Sequence, residues 1–144
     1  MTVTFCGHSD TAESPELRAW LRRIITEMIE TGADTFLLGG YGSFDRIAAS
    51  VVWEVKKRYP GVESVLVLPY LERDAGSSVY DRTTYPPLEN VPKRYAIPRR
   101  NEWMVDNAEA VIANVGHGWG GAAKMLEYAI RKKKMVLNFS GWEP

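Results

Sequence analysis

The sequence predicts a doubly wound α/β fold with a mostly parallel, five-stranded, Rossmann-like sheet, on three observations. Short apolar runs alternate with helical patterns from end to end. Two of those runs break into glycine clusters that open helices, at Gly39-Gly40-Tyr41-Gly42 and Gly116 to Gly121. A third, Ser64-Val65-Leu66-Val67-Leu68, is almost uninterrupted in its apolarity, as a strand covered on both faces requires.

The elements follow in order. Val3-Thr4-Phe5-Cys6 is a β-rich run that stops at Gly7-His8. Ser14-Pro15-Glu16 then offers a cap, a first-turn proline and an acidic start. Leu17, Trp20, Leu21, Ile24, Ile25, Met28 and Ile29 recur at three- and four-residue intervals as far as Gly32, which makes one amphipathic helix. A second strand over about residues 35–38 enters the first glycine cluster. The helix after it covers about residues 44–58, with Ile47, Ala48, Val51, Val52 and Val55 on one side, and Tyr59-Pro60-Gly61 ends it. The third strand closes at Pro69. Residues 69–92 carry tyrosines and prolines but no period, over a length that compact domains rarely leave without structure. This segment reads either as a lid or partner-contact loop or as an ordinary excursion. Pro98 sits in the first turn of a short helix reaching Asn107, and a fourth strand spans about residues 110–115. The second glycine cluster opens a helix over about residues 122–133, and residues 135–139 form the fifth strand. With right-handed crossovers the expected strand order is 3-2-1-4-5.

The length, 144 residues, suits one domain over 1–144 that folds without disulfides or a structural metal. Forty-five per cent of the residues are hydrophobic and 25% charged, with no apolar stretch near the roughly 20 residues of a membrane helix. No basic-then-apolar leader is visible at the start. A soluble, cytoplasmic protein with no membrane partner is expected. A single cysteine, Cys6, and two histidines make a poor ligand set, so neither metal nor cofactor is expected. Eighteen basic and eighteen acidic residues cancel, which disfavours nucleic acid as a partner. The basic run Arg131 to Lys134 falls where cations complement a helix C-terminus.

In an open parallel sheet, ligands bind beyond the strand carboxyl ends, at the point where strand order reverses. The candidates gather there: Gly7 and His8, then Gly39, Gly40, Tyr41, Gly42 and Ser43, then His117, Gly118, Trp119, Gly120 and Gly121. Strands one and four flank the reversal, which brings His8 and His117 to one crevice. Four glycines within six residues before a helix suit close approach of a phosphate to bare N–H groups. A plain turn with glycines at positive φ is the alternative. Neither cluster completes Gly-x-Gly-x-x-Gly or ends in Gly-Lys-Ser/Thr, so ATP hydrolysis and dinucleotide reduction lose ground. Arg100 offers a fork for phosphate or carboxylate, and Asp45 could meet a ribose or complement its helix start. Cys6 reads as a small buried residue.

On these motifs the chain resembles the SLOG superfamily, the Rossmann-like nucleotide-binding group that includes the Lonely Guy phosphoribohydrolases and DNA-processing protein A. Phe5-Cys6-Gly7-His8 is similar to the strand ending Phe-Cys-Gly-Ser of the hydrolases. Arg100-Asn101, Ala108 to Ala113 and Gly118-Trp119-Gly120-Gly121-Ala122-Ala123-Lys124 are similar to their arginine helix, fourth strand and second glycine turn. Tyr85-Pro86-Pro87-Leu88-Glu89 and the Trp119 to Lys124 wording resemble most the small stand-alone bacterial or phage type. Where those hydrolases carry a catalytic glutamate, this chain has Lys124. The resemblance therefore implies a nucleotide-type small-molecule ligand held by Lys124 and the glycine turn, with Arg100 as a phosphate contact. The implied role is that of a sensor, carrier or sequestering protein. The alternative is a nucleoside 5′-monophosphate phosphoribohydrolase, with Arg100 and Glu127 as catalytic candidates or Asp45 as an unfamiliar acid. Related hydrolases associate as dimers, which leaves a homodimer open.

Overall fold

Ser14 begins the first helix as its composition predicts. The computed structural model describes residues 1–71 and 79–144, and in it the Ser14 side chain accepts a hydrogen bond of 3.1 Å from the Leu17 N–H, with Pro15 in the first turn. The elements are β1 (Thr2–Gly7), α1 (Pro15–Glu30), β2 (Thr35–Leu38), α2 (Gly42–Lys56), β3 (Glu63–Val67), β4 (Arg82–Thr84), a short 3-10 turn (Lys93–Tyr95), α3 (Ala96–Asp106), β5 (Ala110–Asn114), α4 (Gly121–Arg131) and β6 (Met135–Asn138). Replacing Ser14 with alanine removes one helix cap and is expected to cost about 1 kcal/mol. Thermal unfolding would show this as a drop of roughly 3 °C.

Every strand pair is parallel, and the order is β4-β3-β2-β1-β5-β6. This corrects the expectation of five strands ordered 3-2-1-4-5. The extra strand, β4, lies in the stretch read as lacking structure. Its three residues, Arg-Thr-Thr, are largely exposed and offer no apolar pattern. Polar contacts hold it to the edge of β3: Asp81 pairs with Lys56 and accepts from the Ser64 N–H, and Arg82 forms a two-pronged bond with Glu63. The rest of the expected lid or partner-contact loop falls partly on residues 72–78, which lie outside the described residues. Helix α3 begins at Ala96, two residues before Pro98, which the first turn of a helix tolerates.

The side-chain alternation of the strands divides the core in two. Phe36, Leu38, Ala110 and Ile112 pack with α1 and α2 on one face, while Leu37, Val65, Val67, Val111 and Ala113 pack with α3 and α4 on the other. Both faces are covered, as the near-continuous apolar strands required. The chain runs one way from β1 to β2 and the other way from β1 to β5, so the reversal lies between the carboxyl ends of β1 and β5. Among the described residues, no helix is long and apolar enough to cross a membrane.

Candidate ligand-binding cleft

A cleft of about 430 Å³ opens at that reversal. Its floor is the end of β1, Phe5 to Gly7, and its walls come from the loops after β1, β2 and β5 and from the flanks of α3 and α4. Gly7 must be glycine, because a Cβ there would enter the ring of Phe44 on α2. Gly42, at φ +83°, lets α2 start where a Cβ would meet the Ser9 backbone at 2.6 Å. Ser43 ties the same loops together, donating its hydroxyl to the carbonyls of Thr11 and Ser9 at 2.7 and 2.9 Å.

Arg100 is only 2% exposed. Its Nη1 donates to the carbonyls of Val67 and Gly39 at 2.7 and 2.9 Å, and its Nε donates to Asn101 Oδ1 at 3.0 Å. One guanidinium thus joins the ends of β2 and β3 to α3. Asp45, on the first turn of α2, is also buried. A Cβ on Gly39 would stand 2.9 Å from Asp45 Oδ2 and 3.0 Å from Arg100 Cζ, so the carboxyl and guanidinium flank the bare Gly39 α-carbon. Burial pushes the Asp45 carboxyl up to about 6, against the opposing pull of Arg100 and of the Tyr41 and Gly39 backbone. Burial likewise lowers Arg100 from its ordinary value, in spite of Asp45. In both groups desolvation outweighs mutual attraction, which leaves a carboxyl able to change charge inside the cleft.

The second glycine cluster ends in Gly120, whose φ of +91° turns the chain into α4. No side chain caps α4, whereas Ser14 caps α1. Added Cβ atoms at Gly120 and Gly121 would meet nothing within 4 Å. The first turn of α4, uncapped by side chains among the described residues, therefore stands beside open space at the cleft, an arrangement suited to an anion. Behind this loop, the Asn138 amide bonds both the N–H and the carbonyl of Val115, at 3.0 and 2.9 Å, and also the Trp142 carbonyl. Gly118 packs beside Trp142. This buttress, from the end of β6 and the chain after it, was not legible in the sequence.

His8 and His117 meet as expected from topology, but face to face: their ring centroids are 3.9 Å apart and nearly parallel. Trp119 stacks on the other face of His117 at 3.6 Å. The Gly116 N–H donates to His8 Nε2 at 3.0 Å, which places the proton of the neutral ring on Nδ1. Burial, and then the neighbouring His117, lower His8 from its ordinary value. Cys6 lines the cleft, but its thiol donates to the Ala122 carbonyl at 3.0 Å and burial pushes it up, so it is no thiolate nucleophile.

Of the residues singled out from sequence, Gly7, His8, Tyr41, Asp45, Arg100, His117, Trp119, Gly120 and Gly121 line this cleft. Gly39 touches the two buried charges from behind, while Gly40, Gly42, Ser43 and Gly118 shape loops outside the lining. Lys124 and Glu127 face an adjoining groove between α3 and α4, with Pro98, Glu102 and Tyr128. That groove shares Ile97, Asn101, Gly121 and Met125 with the cleft. The sequence reading missed Asp10, Ile97, Asn101 and Met104, which also line the cleft. Asn101 follows Arg100 directly, and that adjacency was the one available signal.

Fold and cleft together define a doubly wound, parallel Rossmann-like protein with a cleft at its strand reversal. No family model matches the chain. UPF0398 proteins of Bacillus thuringiensis (strain Al Hakam) and Bacillus cereus (strain AH187) are each 25% identical to it over 134 residues, covering 85% of this chain and 73% of theirs. Among solved structures, DNA processing protein A from Streptococcus pneumoniae aligns over 95% of the chain with a TM-score of 0.66 and 17% identity, although this chain spans only 49% of that protein. The molybdenum cofactor carrier protein of Chlamydomonas reinhardtii aligns over 96% of this chain and 76% of its own, with a TM-score of 0.64 and 16% identity. A structural-genomics target, TM1055, gives 0.63 at 21% identity over 94% of this chain and 71% of its own.

Proposed function

We propose that this chain binds a nucleotide or nucleotide-derived small molecule at the strand carboxyl ends, as a sensor, carrier or sequestering protein. One observation carries the reading: the uncapped N-terminus of α4 opens at Gly120 and Gly121 into a cleft that also holds the buried Arg100. Helix N–H groups and a guanidinium converging on one space suit an anionic group. Lys124 adds positive charge from the adjoining groove. One fold neighbour is named a cofactor carrier, in keeping with a holding role. Another, DNA processing protein A from Helicobacter pylori, is described by its single-stranded DNA binding, so the neutral charge of this chain does not by itself dismiss nucleic acid. Homodimerisation stays part of the proposal only as a property to measure.

A second reading, N-glycosidic hydrolysis of a nucleotide, is favoured by Asp45, a cleft carboxyl held near 6 that could give up or take a proton. Glu127 fits that reading less well, since it faces the neighbouring groove.

Thermal unfolding with mononucleotides, dinucleotides, cyclic nucleotides, ADP-ribose and a short oligo-dT tests both. A ligand at 100 times its Kd adds about 2.7 kcal/mol, a rise of roughly 9 °C for a chain of this size. Chromatography of the same mixtures separates the readings: intact ligand supports the binding protein, and free base lost on Asp45→Asn supports the hydrolase. A rise with oligo-dT alone, or with no member, would overturn the proposal.

A further inference from the structure

Resting on the reading of the cleft as a nucleotide site, we propose that Trp119 is the platform for the ligand's planar heteroaromatic base, which stacks on the indole face turned away from His117. The indole is 71% exposed although it lines the cleft, and one of its faces is taken by His117 at 3.6 Å. The free face is a large apolar surface presented to solvent. Three parallel rings, His8, His117 and Trp119, stand in register with spacings of 3.9 and 3.6 Å, and a fourth ring continues the series. The backing is firm. The Gly116 N–H holds His8, and His117 is placed by its two faces, since its buried Nδ1 is the one buried side-chain polar atom among the described residues without a hydrogen-bond partner.

The position of Trp119 along the chain sets the size of the ligand. It lies two residues before Gly121, so its α-carbon and the start of α4 are at most about 7 Å apart, with the indole face a side chain's length beyond. That is the reach of one nucleotide, base on the indole and phosphate at the amides, and nothing beside Gly120 or Gly121 obstructs it. Stacking on an aromatic face tolerates any base because each has a π-surface, and it grows with ring area. The site should therefore rank purine above pyrimidine mononucleotides while discriminating weakly between purines.

Calorimetric titration of AMP, CMP and ribose 5-phosphate into the native chain, Trp119→Phe and Trp119→Ala tests this. The expected result is a loss on the order of tenfold or more for AMP in Trp119→Ala, with most of the affinity kept in Trp119→Phe and ribose 5-phosphate unchanged throughout. An equal loss for ribose 5-phosphate would make Trp119 a holder of the loop and overturn the stacking role. Unchanged AMP affinity would overturn it as well, and so would a change in molecular mass on gel filtration that accounts for the loss, because Trp119 would then be an interface residue. If the native chain binds neither AMP nor ribose 5-phosphate, the cleft reading itself fails and the platform falls with it. Binding of AMP and ribose 5-phosphate alike, with both affinities indifferent to Trp119, sinks the platform alone.

Discussion

Arg100→Ala is expected to lower stability by about 3–5 kcal/mol, the range for removing one partner from a buried pair of charges, and Tm by roughly 10–15 °C. The guanidinium does two things that alanine cannot. It satisfies the carbonyls that end β2 and β3, at Gly39 and Val67, and it faces the buried Asp45 carboxyl across Gly39. The second role gives the loss a pH signature. In the native chain Asp45 is held at about 6, above its ordinary 3.8. A carboxyl raised on folding contributes most at low pH, where it is protonated, and that contribution disappears as pH rises through the folded value. Without Arg100 the folded value rises further, so ionising Asp45 above pH 6 costs more in the variant than in the native chain. The stability gap, measured by urea unfolding, should be smaller at pH 5 than at pH 8. Adding Asp45→Asn should recover part of the loss at pH 8 and little at pH 5. A gap independent of pH would mean that only the carbonyl bonds count.

Arg100 also illustrates where sequence stops being informative. Beside Arg99, on a helix with a modest apolar face, it reads as a surface residue with a motif match behind it. Its burial depends on β2, β3 and α3 ending at one point, a tertiary coincidence that no local pattern encodes. The histidine pair was accessible because its placement follows from topology: one residue sits just beyond β1, the other just beyond β5, and these strands are neighbours. What topology could not supply was orientation, which makes the two rings one stack. The same gap separates Lys124 from the cleft. Motif spacing places it one turn into α4, but Gly121, Lys124, Glu127, Tyr128 and Arg131 form a stripe at three- and four-residue intervals along the flank towards α3. The azimuth of the helix, set by packing against β1 and β6, decides which groove that stripe faces.

Strands were legible where they were apolar. Strands β1, β2, β3 and β5 are apolar and largely buried, and the glycines at the ends of β1, β2 and β5 mark the cleft region. The edge strand β4 is held by Asp81, Arg82 and main-chain pairing to β3, so its formation depends on a partner already in place rather than on its own sequence. An Arg-Thr-Thr triplet announces nothing by itself.

Gly7→Ala is the other substitution expected to have a large effect, at least about 3 kcal/mol, the upper part of the usual cost of overpacking. Gly7 ends β1 in register with Asn114, and the new methyl would occupy space held by the Cβ and ring of Phe44. Phe44 has nowhere to go, being fully buried against the sheet, and α2 is pinned at its start by Gly42 and Ser43 against Ser9. Either the ring leaves its rotamer or the first turn of α2 lifts, and Asp45 stands on that turn. Two consequences follow: lower stability in urea, and a weaker response to whichever mononucleotide raises the native Tm. Phe44→Ala should rescue part of the loss in the double variant if the clash is the cause, because it removes the Cγ and Cδ2 atoms that hold the contested space. The diagnostic quantity is the coupling between the two substitutions, expected to be favourable and above about 1 kcal/mol for residues in direct contact. Additive losses would instead trace the effect of Gly7→Ala to the β1 backbone and leave the seat of α2 on Gly7 without energetic weight.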